Sequence, residues 1–138
     1  MRRTREGAYP VSTDQNKAVI LRWIEGLNTG NLSALEALVD ELYTLDFTGH
    51  INAQVGAVVG REGVKRNVRK ALKSTPDVRL TVEDIFAEGD RVVSRLTTIG
   101  TDSSTGKPVH NLVMNTWRLV GGQIAEGWQL VVSAETQL

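Results

Sequence analysis

The apolar residues of this chain change their spacing at Pro76. Upstream they recur at helical intervals, as Ala18, Ile20, Leu21, Trp23, Ile24 and Leu27, then Leu32, Leu35, Leu38, Val39 and Leu42, then Val64, Val68, Ala71 and Leu72. Downstream they alternate: Val78, Leu80 and Val82 are separated by Arg79, Thr81 and Glu83, the pattern of a half-buried strand. Helical stripes followed by alternating strands must stack helices on one face of a sheet, which is the α+β class. With 138 residues the chain can build one hydrophobic core and is too short for two ordinary ones.

Turn residues divide the pattern into elements. Thr13 or Asp14 is expected to cap a first helix starting near Gln15, and Asn28-Thr29-Gly30-Asn31 ends it, with Gly30 suited to a left-handed position. Asn31 or Ser33 caps the second helix. Tyr43 to His50 reads as a short strand, Asn52 to Gly60 as a loop, and Gly60-Arg61-Glu62-Gly63 opens a third helix that runs to about Lys73. Thr75-Pro76-Asp77 then ends the helical half. Turns at Glu88-Gly89-Asp90, Asp102 to Lys107 and Gly121-Gly122 separate four long strands. Residues 1–12 are expected to be a loose arm, and 13–138 a single domain. Three helices beside a strongly curved antiparallel sheet make a cone whose open end is a natural pocket.

Composition removes several classes of function. Lys plus Arg equals Asp plus Glu at 16 each, so no basic face for nucleic acid is expected; Arg2, Arg3 and Arg5 form a lone cluster in the arm. The sequence holds no Cys and two His, which leaves no thiolate chemistry and little for a metal site. No apolar run reaches the roughly 18 residues that would span a bilayer, and the N-terminus lacks the apolar segment of a signal peptide. A reducing cytoplasm suits such a chain, and no cofactor is expected.

The order and wording of the turns resemble the SnoaL-like polyketide cyclases of the nuclear-transport-factor-2-like superfamily. The resemblance runs from about residue 16 to 133. It rests on Asn16-Lys17 with Asn28-Thr29-Gly30-Asn31, then Asp46-Phe47 with His50, then Gly60-Arg61-Glu62-Gly63. Val82-Glu83-Asp84-Ile85, Glu88-Gly89-Asp90-Arg91-Val92-Val93, Gly100-Thr101, Trp117-Arg118, Gly122-Gln123-Ile124-Ala125-Glu126 and Trp128 follow in order. The resemblance implies a curved sheet packed on three N-terminal helices. It also implies cofactor-free chemistry in a dry cavity, where a carboxylate or His moves a proton and hydrogen-bond donors stabilise an enolate or alkoxide.

Set against that pattern, the acid/base positions of this chain read as amides. The cyclases it resembles carry an acid where this chain has Asn115, often a His where it has Asp102, and Glu-His-Trp-Asp where it has Glu126-Gly127-Trp128-Gln129. The resemblance turns the Asn111, Val113, Asn115 and Trp117 face of the third long strand into the cavity. Gly127, Gln129 and Val131 join it from the last strand, and Val93, Arg95, Thr97 and Ile99 are expected to join from the second. Epoxide-hydrolase relatives use an Arg flanked by carboxylates, a place held here by Arg95 beside Thr97 and Gln129.

His50 is then the candidate base, with a rim histidine as the alternative. Asp46 either faces inward or accepts in a turn. Trp23 is core or cavity wall, Trp117 lines the cavity, and Trp128 and His110 belong to the opposite face.

Two pocket functions follow, from different classes. One is a cofactor-independent cyclase-like or isomerase-like enzyme acting on a hydrophobic carbonyl compound, with His50 as base and Asn115, Gln129 and Arg95 polarising oxygen. The other is a binding protein for a hydrophobic ligand with no turnover. A mainly structural dimeric module is a third. Leu112, Met114 and Leu130 on the outer sheet face need a cover, which is expected to be a second copy of the chain.

Overall fold

A computed structural model describes residues 12–134. The expected arm, with Arg2, Arg3 and Arg5, lies outside the described residues except for Ser12. Helix α1 spans Thr13–Thr29, and Ser12 is its cap. The Ser12 hydroxyl accepts from the Gln15 N–H at 3.0 Å, and the Gln15 side chain accepts from the Ser12 N–H at 2.9 Å. This reciprocal box displaces the cap expected at Thr13 or Asp14. Gly30 ends the helix at φ 65°, the left-handed geometry its sequence position suggested. Helix α2 covers Leu32–Leu42, capped by Asn31, and its last turn passes straight into strand β1 at Tyr43–Ile51.

The stretch expected to be a loop after residue 52 contains a strand instead. Strand β2, Gln54–Val59, pairs antiparallel with β1 as the outer arm of a hairpin. Helix α3, Gly60–Ser74, follows it without a break. Strands β3 (Arg79–Glu88), β4 (Arg91–Thr101), β5 (Pro108–Val120) and β6 (Gln123–Ser133) complete one six-stranded sheet in the order β2-β1-β6-β5-β4-β3. All neighbours are antiparallel except β1 and β6, which run parallel. The sheet is therefore mixed and open rather than wholly antiparallel, and α3 follows two strands instead of the one expected.

The helices cover one face of this sheet. Ile20, Leu35, Val39, Val92 and Ile124 are fully enclosed between the layers, each contributing roughly 1.5–3 kcal/mol by leaving water. Gly26 lets α1 and α2 approach, since a Cβ there would stand 2.5 Å from Leu38 Cδ1. Asn28 joins the end of α1 to the free edge of β3. Its amide donates to the Leu80 carbonyl at 2.8 Å and accepts from the Leu80 N–H at 2.7 Å, as a neighbouring strand would. Asn28→Ala leaves both backbone groups of Leu80 without these partners. A loss of about 2–4 kcal/mol in urea unfolding is expected; a loss under about 0.5 kcal/mol would show that water replaces the amide freely.

Candidate functional site

The inner face of the sheet and the helices enclose a cavity of about 330 Å³. Its walls come from Trp23, Ile24 and Leu27 of α1, from Val64, Val68 and Leu72 of α3, and from the inward positions of β1, β4, β5 and β6. Pairing sets those positions. Ser94 lies opposite Asn115, and Asn115 opposite Gln129, so the three share one row across three strands. Leu96, Val113 and Val131 form the next row, and Thr98 and Asn111 the one after. On the other side of the first row, Trp117 faces Gly127, and Gly127 faces Gly49 across the parallel pair. The two glycines leave space that the Phe47 and Trp117 rings partly fill: a Cβ on Gly127 would stand 3.6 Å from Phe47 and 3.7 Å from Trp117.

Burial grades along the cavity. Ser94, Asn115 and Trp117 are buried, Thr98 and Asn111 are half-buried, and Asn67 on α3 is exposed. The cavity is thus closed at the Asn115 end and open beside Asn111 and Asn67. Tyr43 stands at its wall in edge-to-face contact with Trp23 (5.1 Å) and Phe47 (4.9 Å). Burial pushes the Tyr43 phenol well above its ordinary pKa, so it stays a neutral donor. The Trp117 indole N–H donates to the Ser94 hydroxyl at 3.1 Å. The Asn115 side-chain carbonyl, by contrast, is buried with no hydrogen-bond partner among the described residues. Among the described residues, no Asp, Glu, Lys or Arg lines the cavity.

The structure gathers Trp23, Asn111, Asn115, Trp117 and Gln129 at this cavity with His50 on its border, and it moves Arg95, Thr97 and Asp46 elsewhere. Arg95 and Thr97 point to the outer face, because the β4–β5 register places Ser94, Leu96 and Thr98 inward. There Arg95 is bound to Asp84 at 2.7–2.8 Å, and Thr97 donates to Glu83 at 2.9 Å. Asp46 is exposed and takes no part in the lining. His50 borders the cavity at strand level, but Phe47, Gly49 and Ile51 take the inward positions of β1. The His50 ring lies outside, 5.5 Å from the Trp128 ring. Both its nitrogens are engaged: the Gly56 N–H donates to Nδ1 at 2.9 Å, which leaves Nε2 to donate to Glu126 at 2.8 Å. In this state His50 has no lone pair to offer a substrate. Trp128 is on the outer face as expected, with Arg91 5.1 Å above it. Asp102 stays in the β4–β5 turn, where its carboxylate accepts from Ser104 and Thr105.

Glu126 holds this outer cluster together, accepting also from Arg118 at 3.2 Å. The His50 hydrogen bond, and then Arg118, lower its pKa below the usual glutamate value. A carboxylate lowered on folding stabilises above its unfolded pKa of about 4.3 and loses that contribution as pH falls through the folded value. The melting temperatures of wild type and Glu126→Gln should therefore differ most near neutrality and converge below about pH 4. A gap that persists unchanged to pH 3 would contradict the assignment.

The SnoaL-like domain family matches residues 20–127, most of the chain and all of the cavity-lining strands except the second half of β6. The chain belongs to that family. A comparison with curated proteins finds no match. Among solved structures, the SnoaL-like domain resembles wild-type IdmH of Streptomyces antibioticus, described as a candidate polyketide cyclase. Identity is 28%, coverage 85% of this chain and 91% of that one, and the TM-score 0.71. It also resembles AclR of Streptomyces galilaeus, a candidate hydroxylase, at 25% identity, 88% and 77% coverage and TM-score 0.74. A candidate SnoaL-like polyketide cyclase from Jannaschia sp. CCS1 gives TM-score 0.80 at 20% identity, with 90% and 91% coverage, and shares the fold. The fold is that of the nuclear-transport-factor-2 and ketosteroid-isomerase-like proteins.

Sequence reasoning missed Tyr43 and Thr98 at the cavity and the buried Ser94 that accepts from Trp117 beside it. Ser94 and Thr98 were within reach, since pairing Thr101 with Pro108 across the polar turn puts Ser94 opposite Asn115. Tyr43 carried no signal beyond its place at the start of β1. Among the described residues no three His, Cys, Asp or Glu converge as a metal site would need, and no helix is long and apolar enough to cross a membrane.

Proposed function

We propose that this SnoaL-like domain is a cup that holds a hydrophobic, oxygen-bearing small molecule and supplies no side chain of its own to move a proton. The observation that carries this reading is the lining, which offers amides at Asn111, Asn115 and Gln129 and no carboxylate. An amide orients a carbonyl or a water but does not exchange a proton near neutral pH.

A second reading is a cofactor-independent cyclase-like or isomerase-like enzyme acting on a hydrophobic carbonyl compound. The relatives described as candidate polyketide cyclase and hydroxylase favour it, and so does the neutral Tyr43 phenol at the cavity wall. In this reading Asn115, Gln129 and Tyr43 polarise the carbonyl, and water carries the proton. His50 acts as base only if its ring leaves Gly56 and Glu126.

Titration with a panel of polycyclic aromatic ketones separates the readings, because Trp23 and Trp117 line the cavity and report binding by quenching. Saturable quenching with the ketone recovered unchanged supports the cup. Saturable quenching with a new product, seen by chromatography, supports the enzyme. Absence of saturable quenching by every ketone would reject both.

The outer sheet face is proposed to pair with a second copy. Phe86, Ile99, Leu112, Met114, Leu130 and Val132 stand there 45–59% exposed, an apolar surface that water disfavours. Sedimentation should give twice the 15.1 kDa chain mass. A reducing cytoplasm suits a chain without cysteine.

A further inference from the structure

We infer that the cavity selects an uncharged, elongated molecule carrying one hydrogen-bonding group at each end and an apolar middle. The inference rests on the cup reading and names the class of ligand that the cup takes.

The inner face of the sheet is banded. Two amides, buried Asn115 and half-buried Gln129, stand in one row of the lining, and a polar pair, Thr98 and Asn111, lies at the mouth. Between them Leu96, Val113 and Val131 form an apolar strip. Asn111 and Asn115 are four residues apart on β5, so their side chains are rooted about 13 Å apart at the usual rise of a strand. A molecule lying along β5 therefore meets an amide at each end and hydrocarbon between.

Two observations point to a ligand rather than to packing alone. Asn115 is 5% exposed, and its side-chain carbonyl has no partner among the described residues. A buried acceptor without a donor is unusual, and a ligand hydroxyl at the closed end supplies one. In addition, the Gln129, Thr98 and Asn111 side chains stand half-buried at the cavity wall, where a ligand can reach their amide and hydroxyl groups.

The charge of the ligand follows from the lining. Among the described residues, no cationic or anionic side chain borders the cavity. The ion pairs Arg95 with Asp84 and Arg118 with Glu126 lie on the other face of the sheet. An ionised end group would lose its water with no counter-charge to replace it, so charge at either end weakens binding.

The test is calorimetric titration at pH 7 with three biphenyls of one shape: the 4,4′-diol, the 4-monophenol and the 4,4′-dicarboxylate. The diol should bind about tenfold more tightly than the monophenol, as one further hydrogen bond gives. The dicarboxylate should bind at least about a hundredfold more weakly than the diol. Asn111→Leu, at the half-buried mouth, should weaken the diol about tenfold and the monophenol by much less, so that the two affinities converge. Thr98→Val repeats the comparison with a side chain of nearly the same shape, so the outcome does not hang on one variant.

Dicarboxylate affinity within threefold of the diol would overturn the inference. So would equal affinities of diol and monophenol, or variants that weaken both compounds alike. If the diol preference holds and no ketone is ever turned over, the inference stands and only the enzyme reading fails. If none of the three biphenyls binds, the cup reading falls and takes the inference with it.

Discussion

Asn115→Asp should be close to wild type in stability at pH 4 and markedly less stable at pH 8. The substitution is nearly isosteric, so packing changes little. What changes is the cost of a charge at a buried site bordered by no cation. Burial raises the pKa of a carboxyl above its unfolded value of about 3.9. Below that value the group is protonated both folded and unfolded, and no penalty arises. Above it the unfolded chain ionises first, and stability falls by about 1.4 kcal/mol per pH unit until the folded pKa is reached. A rise of two to three units, ordinary for a buried carboxyl, gives a loss of about 3–4 kcal/mol at pH 8. Melting temperatures at pH 4, 6 and 8 measure it. A pH-independent difference from wild type would mean that water reaches the side chain. The same variant gives the cavity a group able to exchange a proton, so a ketone that only binds to wild type becomes the substrate to try on it.

Trp117→Ala should cost about 3–5 kcal/mol, a large share of the 5–15 kcal/mol that holds a domain of this size. Trp117 is 8% exposed, crosses the bare backbone at Gly127, and donates its indole proton to Ser94. Truncation removes the ring, leaves the fully buried Ser94 hydroxyl without its donor, and enlarges the closed end of the cavity. Trp117→Phe separates these contributions, since it keeps most of the packing and loses only the hydrogen bond, at about 1–3 kcal/mol. Urea unfolding with an unchanged slope reads both. A loss below about 1 kcal/mol for the alanine variant would show that the ring is not part of the packed core.

The parts of this fold that were legible in the sequence are those where side-chain chemistry marks a boundary or a single face. Gly30, the turn at Gly89 and the glycine pair at 121–122 ended elements where expected. On β5 alternation divides the residues into two faces, and it is the resemblance that turns the Asn111, Asn115 and Trp117 face inward, where the lining has it. On β4 the same reasoning slipped by one residue. Val92 and Leu96 face the core, but Val93 and Ile99 are apolar too, because the outer face of the sheet is itself apolar. Alternation carries no sign when both faces are hydrophobic, and Arg95 and Thr97 were assigned inward for that reason. Strand β1 had a different difficulty. Phe47 and Ile51 mark its inward face, but Gly49 between them and the polar Asp46, Thr48 and His50 make the alternation too short to read, and His50 turns outward with the polar set. Strand β2 is built around Val55-Gly56-Ala57, whose small residues read as a loop until β1 is seen to pair with it.

The single parallel pairing between β1 and β6 has a consequence for the order in which this molecule can assemble. Contacts across it join residues far apart in the chain: His50 to Glu126 over 76 positions, and Asn52 to Val131 over 79. Such closures are slow, because a long loop must be ordered before any contact rewards it. The β3–β6 meander closes through short turns and can form by itself, whereas the β1–β2 hairpin has no strand neighbour until β6 arrives. During synthesis β1 and β2 leave the ribosome early and wait for the final third of the chain. Until then the exposed edge and inner face of that hairpin are the surfaces most open to wrong partners.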